Sequence, residues 1–461
     1  MKKLNLYFSL FFVAFFLLTA CKSTPQNKTE ASEVEVVTDF ELINDALEAE
    51  NVKSKNQKAL ENDKAKAKGN YTPSTVETAV GNLEIPAPYA TESVAKRYGL
   101  SKWEDKTPKA PAGFTVTKFA DNLDNPRWTY IATNGDYFVS EANTVKSANR
   151  ITLLRDTDND GKIDMREVFI ENLNQPFGML IIGDNFYVTT TDGLWKYPYK
   201  EGQTSLKDVK GTKIVELPAG GYNHHWTRNI ITNKAQDKIY ISVGSASNVG
   251  EYGMKEEIRR ANILEVDLDG KNEIIYANGL RNPVGMDWNP VSGELWTAVN
   301  ERDMLGDNLV PDYVTSVKKG AFYGWPYSYY GQIEDPRMSG LETELVAKSV
   351  MPDVPVGSHT ASLGLGFYDN TKFPQKYHNG AFVGQHGSWN RSEMAGYKVV
   401  FIPFENGKPS GQAEDFLTGF IDDREKATVF GRPVATTVTP NGDLLVNDDT
   451  GGVIWKVSYS E

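Results

Sequence analysis

The chain of 461 residues holds only five histidines, and two of them stand side by side in Gly220-Gly221-Tyr222-Asn223-His224-His225-Trp226-Thr227-Arg228-Asn229. An unperturbed imidazole titrates near pH ~6.5, so a neutral ring accepts a proton at neutral pH without a large environmental shift. The chemistry such a pair offers is general-base catalysis. The glycines make a turn and Trp226 opens an apolar run, which places the pair where a loop leads into a strand. Loops on rigid scaffolds often carry function, although a His-His pair in a loop can equally be two rings with satisfied hydrogen bonds. The elements around the pair have to decide.

Those elements recur. Asn125-Pro126-Arg127-Trp128 leads through Asn134-Gly135-Asp136 into Tyr137-Phe138-Val139, and Gln175-Pro176-Phe177-Gly178 leads through Gly183-Asp184 into Phe186-Tyr187-Val188. The same grammar starts at His225, at Arg281-Asn282-Pro283, at His359 and at Arg432-Pro433. Six units of short strands with turn punctuation predict an all-β fold, a six-bladed β-propeller. The last unit has only a third strand after Gly452, and residues 113–118 supply a spare one, so the early strand is expected to complete the last blade. A β-sandwich with insertions is the alternative architecture. In the propeller, His225, Arg281, His359 and Arg432 would occupy equivalent positions at the start of the innermost strands. Such a ring of cationic and imidazole groups around one channel mouth suits an anion.

Composition narrows the partners. A formal net charge of -12 argues against nucleic acid, which calls for a basic patch or stripe. Met1-Lys2-Lys3 followed by an apolar run over 6–18 and by Leu18-Thr19-Ala20-Cys21 reads as a lipoprotein signal peptide, residues 1–20, with Cys21 lipidated. The expectation is a bacterial membrane-anchored lipoprotein, facing the periplasm or the cell surface. Residues 21–85, rich in Lys, Glu and Asn, read as a flexible or partly helical tether. Residues 86–112 are a lead-in and 113–461 the propeller. Cys21 is the only cysteine, so no disulfide framework is possible.

A second constellation is Asp156-Thr157-Asp158-Asn159-Asp160-Gly161-Lys162-Ile163-Asp164-Met165-Arg166-Glu167. Carboxylates stand at loop positions 1, 3, 5, 9 and 12 and glycine at 6, as a calcium loop requires. Asp156, Asp158, Asp160, Asp164 and Glu167 would ligate through side chains and Lys162 through its carbonyl. The flanks look like strands, so the expectation is a structural calcium site on a hairpin of the first blade; a solvated acidic turn is the alternative.

The order of Asn125-Pro126-Arg127-Trp128, Pro176-Phe177-Gly178-Met179, His225-Trp226-Thr227-Arg228-Asn229, Gly279-Leu280-Arg281-Asn282-Pro283, Asn300-Glu301-Arg302-Asp303-Met304-Leu305-Gly306-Asp307, Tyr323-Gly324-Trp325-Pro326 and Gly431-Arg432-Pro433 resembles the quinoprotein glucose/sorbosone dehydrogenases, in particular their sorbosone-dehydrogenase-like branch. The resemblance covers roughly residues 113–458. It implies a six-bladed propeller that binds pyrroloquinoline quinone (PQQ) beside calcium, with His225 as base and Arg281 and Asn282 at the cofactor and reacting centre. It further implies Arg432, Thr360 and Arg228 as cofactor contacts, with Arg391 or His386 in place of the family's lysine, and the backbone carbonyls of Glu301, Arg302 and Asp303 as calcium ligands. The chain departs from the glucose-oxidising members at Phe430, where they carry an arginine, and around Gln385-His386-Gly387, where they carry a lysine. The function implied is oxidation of an aldose or related aldehyde or alcohol, with an electron acceptor that the sequence does not identify. A non-enzymatic propeller binding a glycan or protein, and a calcium-dependent propeller hydrolase or lactonase using Asp303 and Asp307, are the alternatives.

Overall fold

The computed structural model describes residues 71–460 apart from 145 and 159. The signal peptide, Cys21 and most of the expected tether lie outside the described residues. Among the described residues, six four-stranded antiparallel sheets follow one another along the chain, which is the six-bladed propeller. Their innermost strands are Pro126–Ile131, Met179–Ile182, Ile230–Thr232, Pro283–Trp288, Ser362–Phe367 and Pro433–Val438. The last blade takes its outer strand, Phe114–Ala120, from the start of the repeat region, paired antiparallel with Val453–Tyr459. The expected closure is therefore the observed one, and it replaces two free sheet edges with a hydrogen-bonded ladder.

The inner strands show why the repeats carry their punctuation. Registers shift at Pro126/Trp128, Pro283/Met286 and Pro433/Thr436. Proline has no N–H to give a ladder, so it sits at the first residue of a strand or at a bulge. Neighbouring inner strands also come very close: a Cβ on Gly178 would lie 2.5 Å from the Ile230 nitrogen, and one on Gly285 2.3 Å from the Leu365 nitrogen. Only glycine fits these crossings. Hydroxyls on the second strands satisfy carbonyls nearby, as when Thr297 Oγ1 donates to Gly285 O at 2.9 Å.

Ala142, Phe177, Trp226, Val284, Leu363 and Val434, one from each repeat, form a buried apolar cluster where the blades converge. Burying a side chain of this size contributes roughly 1.5–3 kcal/mol, and together they make a dry floor beneath the loops that precede the inner strands.

Two expectations are corrected. The inner strands begin at Ile230, Pro283, Ser362 and Pro433, so His225, Arg281, His359 and Arg432 lie in the loops before them at unequal offsets rather than in register. Residues 74–85, assigned to the tether, form a hairpin of Ser74–Thr78 and Gly81–Ile85. Ile85 is buried in the blade 4 cluster, with Val76 and Leu83 packed against it. The alternation of Val76, Leu83 and Ile85 on either side of the Ala79-Val80 turn outweighs the polar composition that surrounds it.

The lead-in then runs over the loops of blades 4 to 6. Tyr89 N–H donates to Leu305 O, Lys96 N–H to Trp389 O, and Gly99 pairs in parallel with Thr428. Trp103 anchors it, its indole donating to Asp448 at 2.7 Å and packing on Phe420, Phe430 and Trp455.

Candidate active site

His225 is buried in the loop before the third inner strand. Its Nδ1 faces both the carbonyl and the hydroxyl oxygen of Ser245 at 2.9 Å, and the Ser245 hydroxyl spends its own proton on Ser247 O at 2.6 Å. Two acceptors on Nδ1 place the ring proton there, which leaves Nε2 with the lone pair. Burial first, then the Arg281 charge, hold His225 well below the usual imidazole range, so the ring is a neutral base at pH 7. A Cβ on Gly244 would sit 2.5 Å from His225 Cβ and 2.3 Å from Asn282 Oδ1. The glycine thus brings the Asn282 amide against the histidine. Asn282 Oδ1 is buried and accepts no hydrogen bond from the described residues, an uncommon state for a buried acceptor and one a hydroxyl donor would relieve.

His224, the member of the pair with the weaker claim from sequence, lines the mouth. It keeps an exposed surface although protein surrounds it. Its ring lies edge-on to His225 at 4.7 Å between centroids, and its Nδ1 meets the Tyr222 hydroxyl at 3.1 Å. Burial, then Arg281, lowers its pKa.

Arg281 is fully buried and reaches into the loop after the second strand of blade 4. Its guanidinium bonds Glu301 O at 2.7 Å and the Asp303 carboxylate at 3.3 Å. Asp303 also meets His359 Nδ1 at 3.1 Å, while His359 Nε2 meets Gly306 O at 2.8 Å. Both ring nitrogens of His359 face acceptors. Burial opposes its protonation, but Asp303 outweighs burial and raises its pKa. Asp303 is held low although burial pushes it up, because His359 and Arg281 flank it.

Arg432 donates to His386 O at 2.7 Å, Gly387 O at 2.9 Å and the Tyr98 hydroxyl at 3.1 Å, and lies over the Tyr98 ring at 4.5 Å. Among the described residues its hydrogen-bond partners are uncharged, and the nearby Asp449 carboxylate, whose pKa its charge helps to lower, forms no direct ion pair with it. His386 in turn meets the Asp449 carboxylate at 2.8 Å, and Asp449 pairs with Arg127. Arg127 lies over the Trp226 ring at 5.0 Å.

Four sequence expectations change here. Arg228 points into the protein, donating to the carbonyls of His225, Thr227 and Pro218. It braces the histidine loop and does not face the mouth, and burial brings its pKa down to about 9. Thr360 donates to Asp312 at 2.8 Å and Arg391 to Asp307 O at 2.9 Å. Both line a cavity of about 900 Å³ between blades 4 and 5 with Gln385 and Tyr397, and no contact joins them to His225. Of the three carbonyls expected to hold calcium, those of Arg302 and Asp303 are taken by Val310 N–H and by the Arg302 guanidinium; only that of Glu301 faces Arg281.

The acidic loop is a hairpin between Arg150–Arg155 and Met165–Ile170. Carboxylate oxygens of Asp156, Asp158 and Asp164 lie within 4.8 Å of one another. Asp160 turns to the Lys162 amide and ammonium. Glu167 departs from the expected ligand set, because it has already entered the outer strand, paired opposite Leu153.

Sequence reasoning missed Asn248, Tyr98 and Asp449 as parts of the mouth, and named the Asp303 carboxylate only for the hydrolase alternative. Each acts through a partner many residues away, and only the Arg127 motif and the Asn447-Asp448-Asp449 turn gave any signal.

A sequence profile of the TrAA12-like family matches residues 108–326 and 335–460. An uncharacterized protein of Borreliella burgdorferi is 30% identical over 365 residues, covering 77% of this chain and 92% of its own. The pyrroloquinoline quinone-dependent pyranose dehydrogenase of Coprinopsis cinerea is 22% identical over 409 residues, 75% of this chain and 54% of that protein, so the match spans about half of the relative's length. The calcium structure of the Trichoderma reesei carbohydrate-active enzyme of family AA12 superposes with a TM-score of 0.65 at 20% identity, covering 80% of this chain and all of the other. That likeness establishes the shared fold.

Proposed function

The chain belongs to the TrAA12-like family, and from that premise we propose that it is a quinoprotein oxidoreductase that oxidises a sugar at the mouth around His225. The observation that carries the reading is the state of His225. It is a neutral ring with its proton fixed on Nδ1 and its lone pair on Nε2, beside a buried amide oxygen that lacks a donor.

The mouth fits an anionic planar group. Arg432 offers a guanidinium that, among the described residues, has no direct ion-pair partner and is stacked on Tyr98, and such a fork suits a carboxylate. Arg432 and Asn282 would hold pyrroloquinoline quinone, which when bound supplies a two-electron hydride acceptor, while Arg281 is buried with its N–H groups taken by the loops around it. The rest falls to the chain. A sugar hydroxyl that donates to Asn282 Oδ1 would orient the substrate so that the neighbouring hydroxyl, on the carbon to be oxidised, donates to His225 Nε2. As the substrate carbon gives up its hydride, Nε2 takes the hydroxyl proton. Ser245 keeps the ring in the required tautomer, and the apolar cluster at Trp226 closes the floor to water.

Calcium as a Lewis acid here is supported by family resemblance rather than by the expected triple of carbonyls, so no step is derived through it. The lipobox-like Leu18-Thr19-Ala20-Cys21 supports anchoring through a lipid on Cys21, tested by metabolic labelling with a radioactive fatty acid. For the activity, the purified full chain is titrated with pyrroloquinoline quinone, with and without calcium, and dye reduction is followed across a panel of aldoses and aldehydes. Quinone uptake with sugar-dependent dye reduction is expected. Absence of quinone binding by absorbance and calorimetry overturns the reading, and a glycan-binding propeller then becomes the better account.

A further inference from the structure

Part of the lead-in, residues 89–101, precedes residue 108, where the match to the TrAA12-like family begins. It is fastened in turn to the loops of blades 4 and 5 and to the connection into blade 6. Thr91 Oγ1 accepts the Asp307 N–H at 2.7 Å, and a Cβ on Gly306 would lie 2.8 Å from that oxygen, so glycine is what lets the lead-in come this close. Asn390, itself buried, donates to Val94 O at 3.2 Å and accepts the Met304 N–H at 2.8 Å. Lys96 N–H donates to Trp389 O at 2.7 Å, Gly99 N–H to Ala427 O at 2.8 Å and Ser101 N–H to Val429 O at 2.8 Å. Backbone bonds thus pin the chain on both sides of Tyr98.

The side chain held there meets Arg432 twice. The guanidinium lies over the Tyr98 ring at 4.5 Å, and Arg432 Nη1 donates to the Tyr98 hydroxyl at 3.1 Å. On its other side the ring stands edge-on to Tyr397, 6.3 Å between centroids. A phenol that accepts a hydrogen bond keeps its own proton to give, and among the described residues no oxygen takes it. Arg432 is in a similar state. Its Nε and one N–H on each terminal nitrogen go to His386 O, Gly387 O and Tyr98, which leaves each terminal nitrogen a further N–H.

We infer that Tyr98 and Arg432 together form a carboxylate clamp, with the lead-in as the element that holds the phenol in place. Each oxygen of a carboxylate can accept from more than one donor, so the guanidinium and the phenol can share one group. The guanidinium supplies charge, and the phenol adds a donor whose direction the pinned backbone fixes. The lead-in is thereby a part of the binding site and not only a cover over the loops. That the clamp serves a carboxylate of the quinone rests on the reading given above.

The test uses the full chain and two ligands, pyrroloquinoline quinone and its trimethyl ester, in which the carboxylates are blocked. Calorimetry compares the parent with Tyr98→Phe, which keeps the ring against the guanidinium and removes only the O–H. The variant is expected to bind the quinone ~10-fold more weakly than the parent, to bind the ester no more weakly than the parent does, and to keep the parent's urea midpoint without ligand. Tyr98→Ala, which also removes the ring, is expected to lose a larger factor for the quinone. Quinone binding by Tyr98→Phe at the parent's affinity, or an equal loss for the ester, overturns the clamp and leaves the quinone reading standing. A parent that binds no quinone overturns both.

Discussion

At the residue scale the mouth is organised by which histidines are charged. Burial and Arg281 lower the pKa values of His225 and His224, while Asp303 outweighs burial and raises that of His359, whose two ring nitrogens both face acceptors. His386 is pushed down to about 4, by burial first and then by Arg432. Its lowered pKa has a thermodynamic consequence. In the unfolded chain it titrates near ~6.5, so between pH 6.5 and 4 the unfolded state binds a proton that the folded state does not, and stability falls as pH falls. Replacing His386 with Gln is therefore expected to flatten the acid side of the stability curve by about 1.4 kcal/mol per pH unit across that window, measured by urea unfolding at a series of pH values. A variant with the parent's slope would show that His386 is not buried neutral. His225 was legible in the sequence because histidine is scarce and because glycines and an apolar run frame it. Asp303 was legible only as a side-chain carboxylate of the channel and Asp449 was not legible at all, since its role depends on the Arg127 guanidinium brought to it by another blade, and spacing along the chain says nothing about that.

At the element scale the strands were largely legible: alternating aromatic and β-branched residues between Gly, Asn and Asp turns have one physical reading. The hairpin of residues 74–85 and the strap of 86–112 were not, because their charged neighbours dominate the composition and their hydrogen bonds run to distant loops. The strap has a testable weight. Trp103 is buried against Phe430 and Trp455 and donates to Asp448, which also accepts the Arg432 amide at 2.7 Å. Trp103→Ala removes an aromatic core side chain and leaves a carboxylate short of a donor, so a loss of about 3–5 kcal/mol is expected in chemical denaturation. A loss below ~1 kcal/mol would mean that the strap is dispensable. The acidic hairpin of blade 1 is argued at the same scale. With Asp156, Asp158 and Asp164 within 4.8 Å, millimolar calcium is expected to raise the melting temperature and a chelator to reverse it. Asp158→Asn should abolish the response of this hairpin; an unchanged calcium shift in that variant would place the stabilising ion elsewhere.

For the whole molecule, six sheets closed by Phe114–Ala120 against Val453–Tyr459 bring loops from every repeat over one apolar floor. Closure is what brings a histidine from the third repeat, an amide from the fourth and a guanidinium before the sixth inner strand to the same end of the inner strands. The number of repeats and their closure followed from the sequence; the arrangement of the mouth did not, because His225, Arg281, His359 and Arg432 start from loops of different lengths. The central claim is that this mouth oxidises a sugar, with His225 taking the proton. Its most direct test is a single-turnover measurement: the full chain and His225→Gln are each loaded with pyrroloquinoline quinone, mixed with sugar, and the bound quinone's absorbance is followed. The parent should reduce its quinone on mixing, and the variant should take up quinone with similar affinity yet reduce it ~10²–10⁴-fold more slowly. Reduction at the parent's rate in His225→Gln, or a parent that binds no quinone, would contradict the account.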